Sequence, residues 1–187
     1  MENQVSSKSV ILNYGLYYGI VSILLSLSLY AMNMHLEGGT ISIVFAIAVI
    51  LSFPILGIYK FKKDNSGFIT WGQSVKIGIG IILIGVLIAI IYNHIFTTFI
   101  EPDFYNQMTE IQRQALIDAG LTQDQIETQF KISSMFQGTI LGDAVGLLFF
   151  AFVGFVISAI AGACLLYTSP SPRDAHESRM PSSAWKN

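Results

Sequence analysis

The chain has 187 residues, 52% of them hydrophobic and only 12% charged, where an average soluble domain carries about 25% charged residues. Its formal net charge of -2 offers no basic surface of the kind that displaces counterions from nucleic acid, which excludes a nucleic-acid role. The single cysteine, Cys164, leaves no disulfide framework, CxxC pair or cysteine zinc site, and in an apolar stretch it reads as a small buried apolar side chain.

Four stretches hold no Asp, Glu, Lys or Arg: residues 10–32, 41–59, 77–100 and 144–167. Each is long enough to cross a hydrocarbon core of about 30 Å at a rise of about 1.5 Å per residue. The first exceeds the apolar region of a secretory signal, and Ser28-Leu29-Tyr30-Ala31 lacks a small-x-small cleavage pattern, so it reads as a retained span. Gly38-Gly39 is expected to end that helix and Thr40 to cap the next. The second span contains Pro54, which removes a backbone donor and should bend the helix near Ile50, with Ser52 placed to satisfy the freed carbonyls.

Lys60, Lys62 and Lys63 lead into the turn Asp64-Asn65-Ser66-Gly67. Thr70 followed by Gln73 predicts a capping box at the start of the third helix, with Trp71 at headgroup depth and Lys76 snorkelling. That span is expected to run to Ile100 and to stop at Glu101-Pro102, because proline disfavours a helical conformation in the residue before it. Beyond it, Phe104, Met108, Ile111 and Ala115 recur on one helical face. Gly120 should stop this helix, and Thr122 with Gln125 forms a second capping box for a short helix whose apolar face is Ile126 and Phe130. These two helices read as an amphipathic hairpin lying at the membrane surface or over the mouth of the bundle.

The fold class is therefore all-α, a membrane protein of four transmembrane helices. A four-span domain over 1–166 has spans at 10–32, 41–61, 74–100 and 138–166 and a hairpin over 101–137. Lys8, Lys60, Lys62, Lys63 and Lys76 fall on one side of the membrane, whereas the hairpin holds only Arg113 and Lys131 among six acids. By the positive-inside rule both ends are cytoplasmic and the hairpin is external. From Leu165 the character changes: the tail carries three of the five prolines and cannot build a core. The tail over 167–187 reads as disordered, and LLYTSPSPRDAHESRMPSSAWKN resembles translated sequencing-adapter or vector read-through. The expectation is that this tail is set aside and that the native C-terminal sequence is not represented.

Asn13-Tyr14-Gly15 with Gly19, the run Phe61-Lys62-Lys63-Asp64-Asn65-Ser66-Gly67-Phe68, the segment Gly72-Gln73-Ser74-Val75-Lys76-Ile77-Gly78, and Pro102-Asp103-Phe104 together resemble the bacterial membrane family called domain of unknown function 4199. The resemblance covers residues 8–165. It implies a four-span inner-membrane protein with a long polar segment between spans three and four, and it carries no activity, cofactor or catalytic residue. Members usually finish with a few basic residues after the fourth span, a pattern from which this chain departs at its tail.

Two groups of residues stand out as candidates. Gly138, Gly142, Gly146, Gly154, Ser158 and Gly162 share an i+4 ridge in the fourth span, and Gly15, Gly19, Ser22 and Ser26 repeat the theme in the first. Small residues at that spacing let helix backbones approach closely in lipid. The ridge suits a homo-oligomer or a membrane partner subunit, or the other spans of the same bundle. The second group is polar. Asp143 lies near the outer end of the fourth span, and His94, His35, Glu37 and Glu101 fall on the same side. They could converge as a proton relay or weak metal site, yet they lack ligand spacing such as HxxxH and sit where water satisfies them.

No cofactor motif is present: Gly78-Ile79-Gly80 lacks the third glycine of a dinucleotide fingerprint and lies in a span, and no P-loop, HExxH or GxSxG occurs. The expectation is a non-enzymatic membrane protein acting by helix association as a structural, accessory or regulatory subunit of the envelope. The alternative is a small homo-oligomeric transporter or channel with Asp143, His94 and the Pro54 kink near its pathway, although no internal repeat of the transporter kind is found. Orientation is directly testable. With Cys164 replaced by alanine, Gln123→Cys reacts in intact cells with a thiol reagent that cannot cross the inner membrane; protection until the membrane is opened would reverse the assignment.

Overall fold

A computed structural model describes residues 6–36 and 39–167. Among them are six α-helices: α1 (Ser7–Ala31), α2 (Thr40–Asp64), α3 (Trp71–Ile95), α4 (Phe104–Asp118), α5 (Gln123–Ser133) and α6 (Ile140–Tyr167), with a π-helical turn, Phe96–Ile100, continuing α3. α1, α2, α3 with its π turn, and α6 are long and apolar enough to cross a membrane; α4 and α5 form the hairpin. The read-through reading of the tail falls on residues 168–187, outside the described residues, but Leu165, Leu166 and Tyr167 still continue α6.

Local chemistry accounts for the helix ends and corrects several expectations. α1 is ended by Asn33, which takes a left-handed conformation (φ 54°) and lets Met34 N–H reach the Leu29 carbonyl at 2.9 Å; an asparagine does this in place of the expected glycines. Gly38 and Glu37 lie outside the described residues. Gly39 occupies the cap position of α2, and Thr40 is its first helical residue. α2 runs to Asp64, beyond the predicted span, because Lys60 pairs with Asp64 at 2.8 Å across one turn. It closes through Ser66 (φ 55°) and Gly67 (φ 85°). Pro54 stays inside the helix, and Ser52 Oγ donates to the Ala48 carbonyl at 2.6 Å, not to that of Ile50. The Thr70/Gln73 capping box is formed, with bonds of 3.2 and 2.9 Å. It starts α3 at Trp71, as the box implies, three residues before the predicted membrane span of 74–100.

In the hairpin, Gly120 (φ 81°) ends α4, and Thr122 N–H donates to Gln125 Oε1 at 2.9 Å. Ile126 is buried, and the Arg113 guanidinium lies 4.9 Å over the Phe130 ring. The predicted α4 face holds only at its start: Phe104 and Met108 turn inward, whereas Ile111 and Ala115 are exposed. α6 begins at Ile140, with Thr139 Oγ1 accepting from Gly142 N–H at 3.2 Å. Gly138 therefore stands in the preceding turn (φ 68°) and not on the helix.

α3 is the central helix, packing most extensively against α1 and α6, and small residues decide how closely they meet. A Cβ added at Gly15 would lie 2.7 Å from Ile84 Cβ, and one at Gly19 would lie 2.8 Å from Ile88. Gly80 of α3 receives Ile11, and Gly85 receives the Tyr18 ring so closely that a Cβ would overlap it. On the other side Ser158 is seated on Gly78, and Gly162 faces Ser74. Gly57 of α2 meets Ile81. The layer these contacts enclose is closed: Ile58, Ile77, Ile81 and Ile82 each have 0% exposure. Where lipid removes the hydrophobic drive, such interdigitation is what holds helices together.

Cys164 is exposed on α6, contrary to the buried reading, and Lys62 turns inward to donate to the Leu165 carbonyl at 2.6 Å, placing a cation at a helix C-terminus. Gly85→Leu should cost at least about 1–3 kcal/mol, the range for overpacking a tight core, while Gly146→Ala, with open space around it, should be neutral. Thermal unfolding in mild detergent measures both.

Candidate functional site

At one end of the bundle the C-termini of α1 and α3 meet the N-termini of α2 and α6, and there the hairpin joins. Three polar contacts tie this end. His35 Nε2 lies 2.8 Å from Glu101 Oε2, linking the α1–α2 loop to the α3–α4 loop. His94 Nε2 lies 2.7 Å from Asp143 Oδ2, linking α3 to the first turn of α6, where the helix N-terminus favours a negative charge. Asn93 Nδ2 donates to the Tyr105 hydroxyl at 2.9 Å, linking α3 to α4. Four of the five polar residues singled out in the sequence, His35, His94, Glu101 and Asp143, are thus brought together as two pairs; the fifth, Glu37, lies outside the described residues. Among the described residues no three His, Cys, Asp or Glu side chains converge as a metal site would require.

The two pairs differ in setting. His94 and Asp143 side chains are 43% and 27% exposed, whereas those of His35 and Glu101 are 12% and 13% exposed. Around His35 the rings of Tyr30, Phe96 and Phe104 are packed, with Phe104 stacked at 6.3 Å between centroids. This aromatic wall closes the top of a cavity of about 400 Å³ between α1, the first half of α2 and the end of α3. Small-molecule cavities commonly span about 300–1,000 Å³. Tyr18, Ser22, Ser26, Ser42, Tyr92 and Asn93 contribute polar groups to an otherwise apolar lining. His35 Nδ1 and Nε2, Glu101 Oε2, Ser42 Oγ and the Tyr92 hydroxyl are buried without a protein hydrogen-bond partner, the approach of His35 to Glu101 lacking hydrogen-bond geometry.

The helix-packing candidates divide between uses. Gly15, Gly19, Gly154, Ser158 and Gly162 pack against α3 within the chain. Gly142 is required because a Cβ there would strike the Phe136 carbonyl of the incoming turn, Gly138 faces the Tyr105 ring, and Gly146 meets nothing. Ser22 and Ser26, read from the sequence as a continuation of the α1 ridge, line the cavity instead. Ser42, Tyr92 and Asn93 were missed. The polar run Tyr92-Asn93-His94 inside an apolar span was the available signal.

An all-helical chain with four bilayer-length helices, a closed layer of isoleucines and a polar-capped cavity at one end is a small multi-pass membrane protein. Residues 13–166 match the family described as "Protein of unknown function (DUF4199)", and the chain belongs to that family. Neither a curated protein nor a solved structure matches it.

The burial of the two ion-paired histidines sets an order of effects. Asp143→Asn, at an exposed pair, should change stability by no more than about 0.2–1 kcal/mol. Glu101→Ala, which strips a buried imidazole of its partner, should cost about 1–3 kcal/mol. Unfolding free energies of the two variants in the same detergent give the comparison, and the reverse order would contradict the geometry.

Proposed function

We propose that the protein is a non-enzymatic accessory subunit of the bacterial inner membrane that works by association, with both ends cytoplasmic and the hairpin external. The observation that carries this reading is the closed layer of Ile58, Ile77, Ile81 and Ile82. A conducting path through a single chain would have to cross it, and the glycine contacts around it leave no space for a file of water. His94 and Asp143 lie at the rim, in contact with each other, and do not continue inward as a relay of titratable groups.

The small-residue ridge of α6 is mostly consumed inside the bundle, so association falls to other surfaces. Gly146 remains open and is flanked by exposed Leu141, Val145 and Phe149. The hairpin exposes Ile111, Ile117 and Ile132. A partner subunit in the membrane, with part of its mass outside, would engage both. Its acid-rich hairpin, with only Arg113 and Lys131 as cations, would meet a basic or neutral partner surface.

Two measurements test the reading. In a Cys164→Ala background, Ile82→Cys should stay unreactive towards a water-soluble maleimide in membranes; modification would point to a wet path and to transport. Leu148 cannot serve the same purpose, because it is 73% exposed on the outside of α6. A photo-crosslinking residue placed at Leu148 or at Ile117 should instead yield a discrete protein adduct in cells. Lipid adducts alone at both positions would sink the association reading.

A further inference from the structure

α2 changes character at Pro54. Beyond it Gly57, Ile58, Phe61 and Lys62 are buried, whereas between Thr40 and Ser52 no described side chain is. The first half of the helix therefore stands off from α1 and α3, and the cavity of about 400 Å³ is the space beneath it. Its α2 wall includes exposed Ile43 and Ala46, so the cavity lies beside the surface this helix presents to lipid.

The cavity is amphipathic along the membrane normal. His35, Ser42 and Tyr92 stand at the hairpin end with free polar atoms; deeper lie Leu25, Ala46 and Val49, with Tyr18 and Ser22 at the far end, where Ser22 Oγ is spent on the Tyr18 carbonyl. Polar groups without partners are costly at such a site, and the free atoms specify what would satisfy them. His35 Nε2 lies 2.8 Å from Glu101 Oε2 without hydrogen-bond geometry, so Nδ1 is open to a ligand as acceptor or donor according to the ring's tautomer. The Ser42 and Tyr92 hydroxyls both donate and accept. The lining contains no Lys, Arg, Asp or Glu, and Glu101 is engaged behind His35, so a charged head would find no counterion.

We propose that this cavity is a binding site for a neutral, membrane-soluble molecule with a hydroxyl head and an apolar body, entering from the bilayer beneath the first half of α2. A hydroxyl, which both donates and accepts, meets the site in either ring tautomer: it pairs with His35 Nδ1 and with Ser42 or Tyr92. A carboxylate or phosphate head lacks a cation here, and an ether cannot donate. The site is independent of the association reading above, since it lies inside one chain and uses none of the surfaces assigned to a partner.

The test is photolabelling of the full chain in lipid nanodiscs with a diazirine-bearing 4-alkylphenol, competed by unlabelled 4-octylphenol, its methyl ether or 4-octylbenzoate. Adducts should map to peptides covering 22–29, 42–49 and 92–96. The phenol should compete at least about fivefold better than the ether or the benzoate, the ratio expected for one net hydrogen bond. Ser42→Ala and Tyr92→Phe, which remove donors to the ligand oxygen, should each weaken the phenol about fivefold and weaken the ether as well, and Ala46→Trp should abolish labelling by filling the cavity. Ser42 is only half-buried, on the half of α2 that carries no buried described side chain, and its hydroxyl makes no hydrogen bond within the protein, so its truncation reads binding without disturbing the fold. Equal competition by phenol and ether, better competition by the benzoate, adducts confined to the outer face of α6, or wild-type affinity in both hydroxyl variants would each overturn the proposal.

Discussion

The close approach of α1 and α6 to α3 is the constraint from which the rest of the molecule follows. In lipid the apolar side chains gain nothing by leaving the solvent, so helices stay together through contact area and through the few polar bonds they share. Gly15 and Gly19 on one side, Gly154, Ser158 and Gly162 on the other, and Gly78, Gly80 and Gly85 on α3 itself make that contact area large. Beside these contacts Ile58, Ile77, Ile81 and Ile82 form a layer with no exposure. Ser158, fully buried, returns its hydroxyl to the Gly154 carbonyl at 2.6 Å, so close approach leaves no polar atom unmatched there.

Packing of this kind is confined to one half of the bundle. Towards the hairpin the glycines give way to serines, tyrosines and asparagine, and the half of α2 that precedes Pro54 separates. That end is held by discrete polar contacts, His35 with Glu101, His94 with Asp143 and Asn93 with Tyr105, and by the aromatic wall around His35. The contrast has a physical sense. A tightly interdigitated half gives the fold its register, and a loosely filled half held by polar ties leaves room for a ligand without loss of the bundle. The π-helical turn Phe96–Ile100 lies at the junction, a departure from regular geometry that is frequent at functional sites.

The hairpin is attached through Phe104 and Tyr105 at its start and at its end through the turn carrying Gly138, whose Phe136 backbone abuts Gly142 of α6. Between these two points it packs on itself, by Ile126 and by Arg113 over Phe130. An element anchored at both ends and exposed along its length is suited to meeting another surface, and its position beside the cavity roof brings the two features of this end within one chain segment.

Composition and local pattern alone were enough to establish the four spans, the hairpin and the capping boxes at Thr70 and Thr122, because charge-free length, helical period and cap chemistry are local properties. The family resemblance rested on residues such as Asn13-Tyr14-Gly15 and Phe61-Lys62-Lys63, and the matched range of 13–166 nearly coincides with the 8–165 those residues suggested. What the pattern could not reveal was where a ridge points. Ser22 and Ser26 continue the spacing of Gly15 and Gly19, yet only the departure of α2 turns them towards a cavity. Gly138 continues the spacing of Gly142, yet a left-handed turn removes it from the helix. The pairing of His35 with Glu101, 66 positions apart by number, and the cavity beneath them depend on how three helices and two loops meet, which is settled by packing across the whole chain and by no single stretch of it.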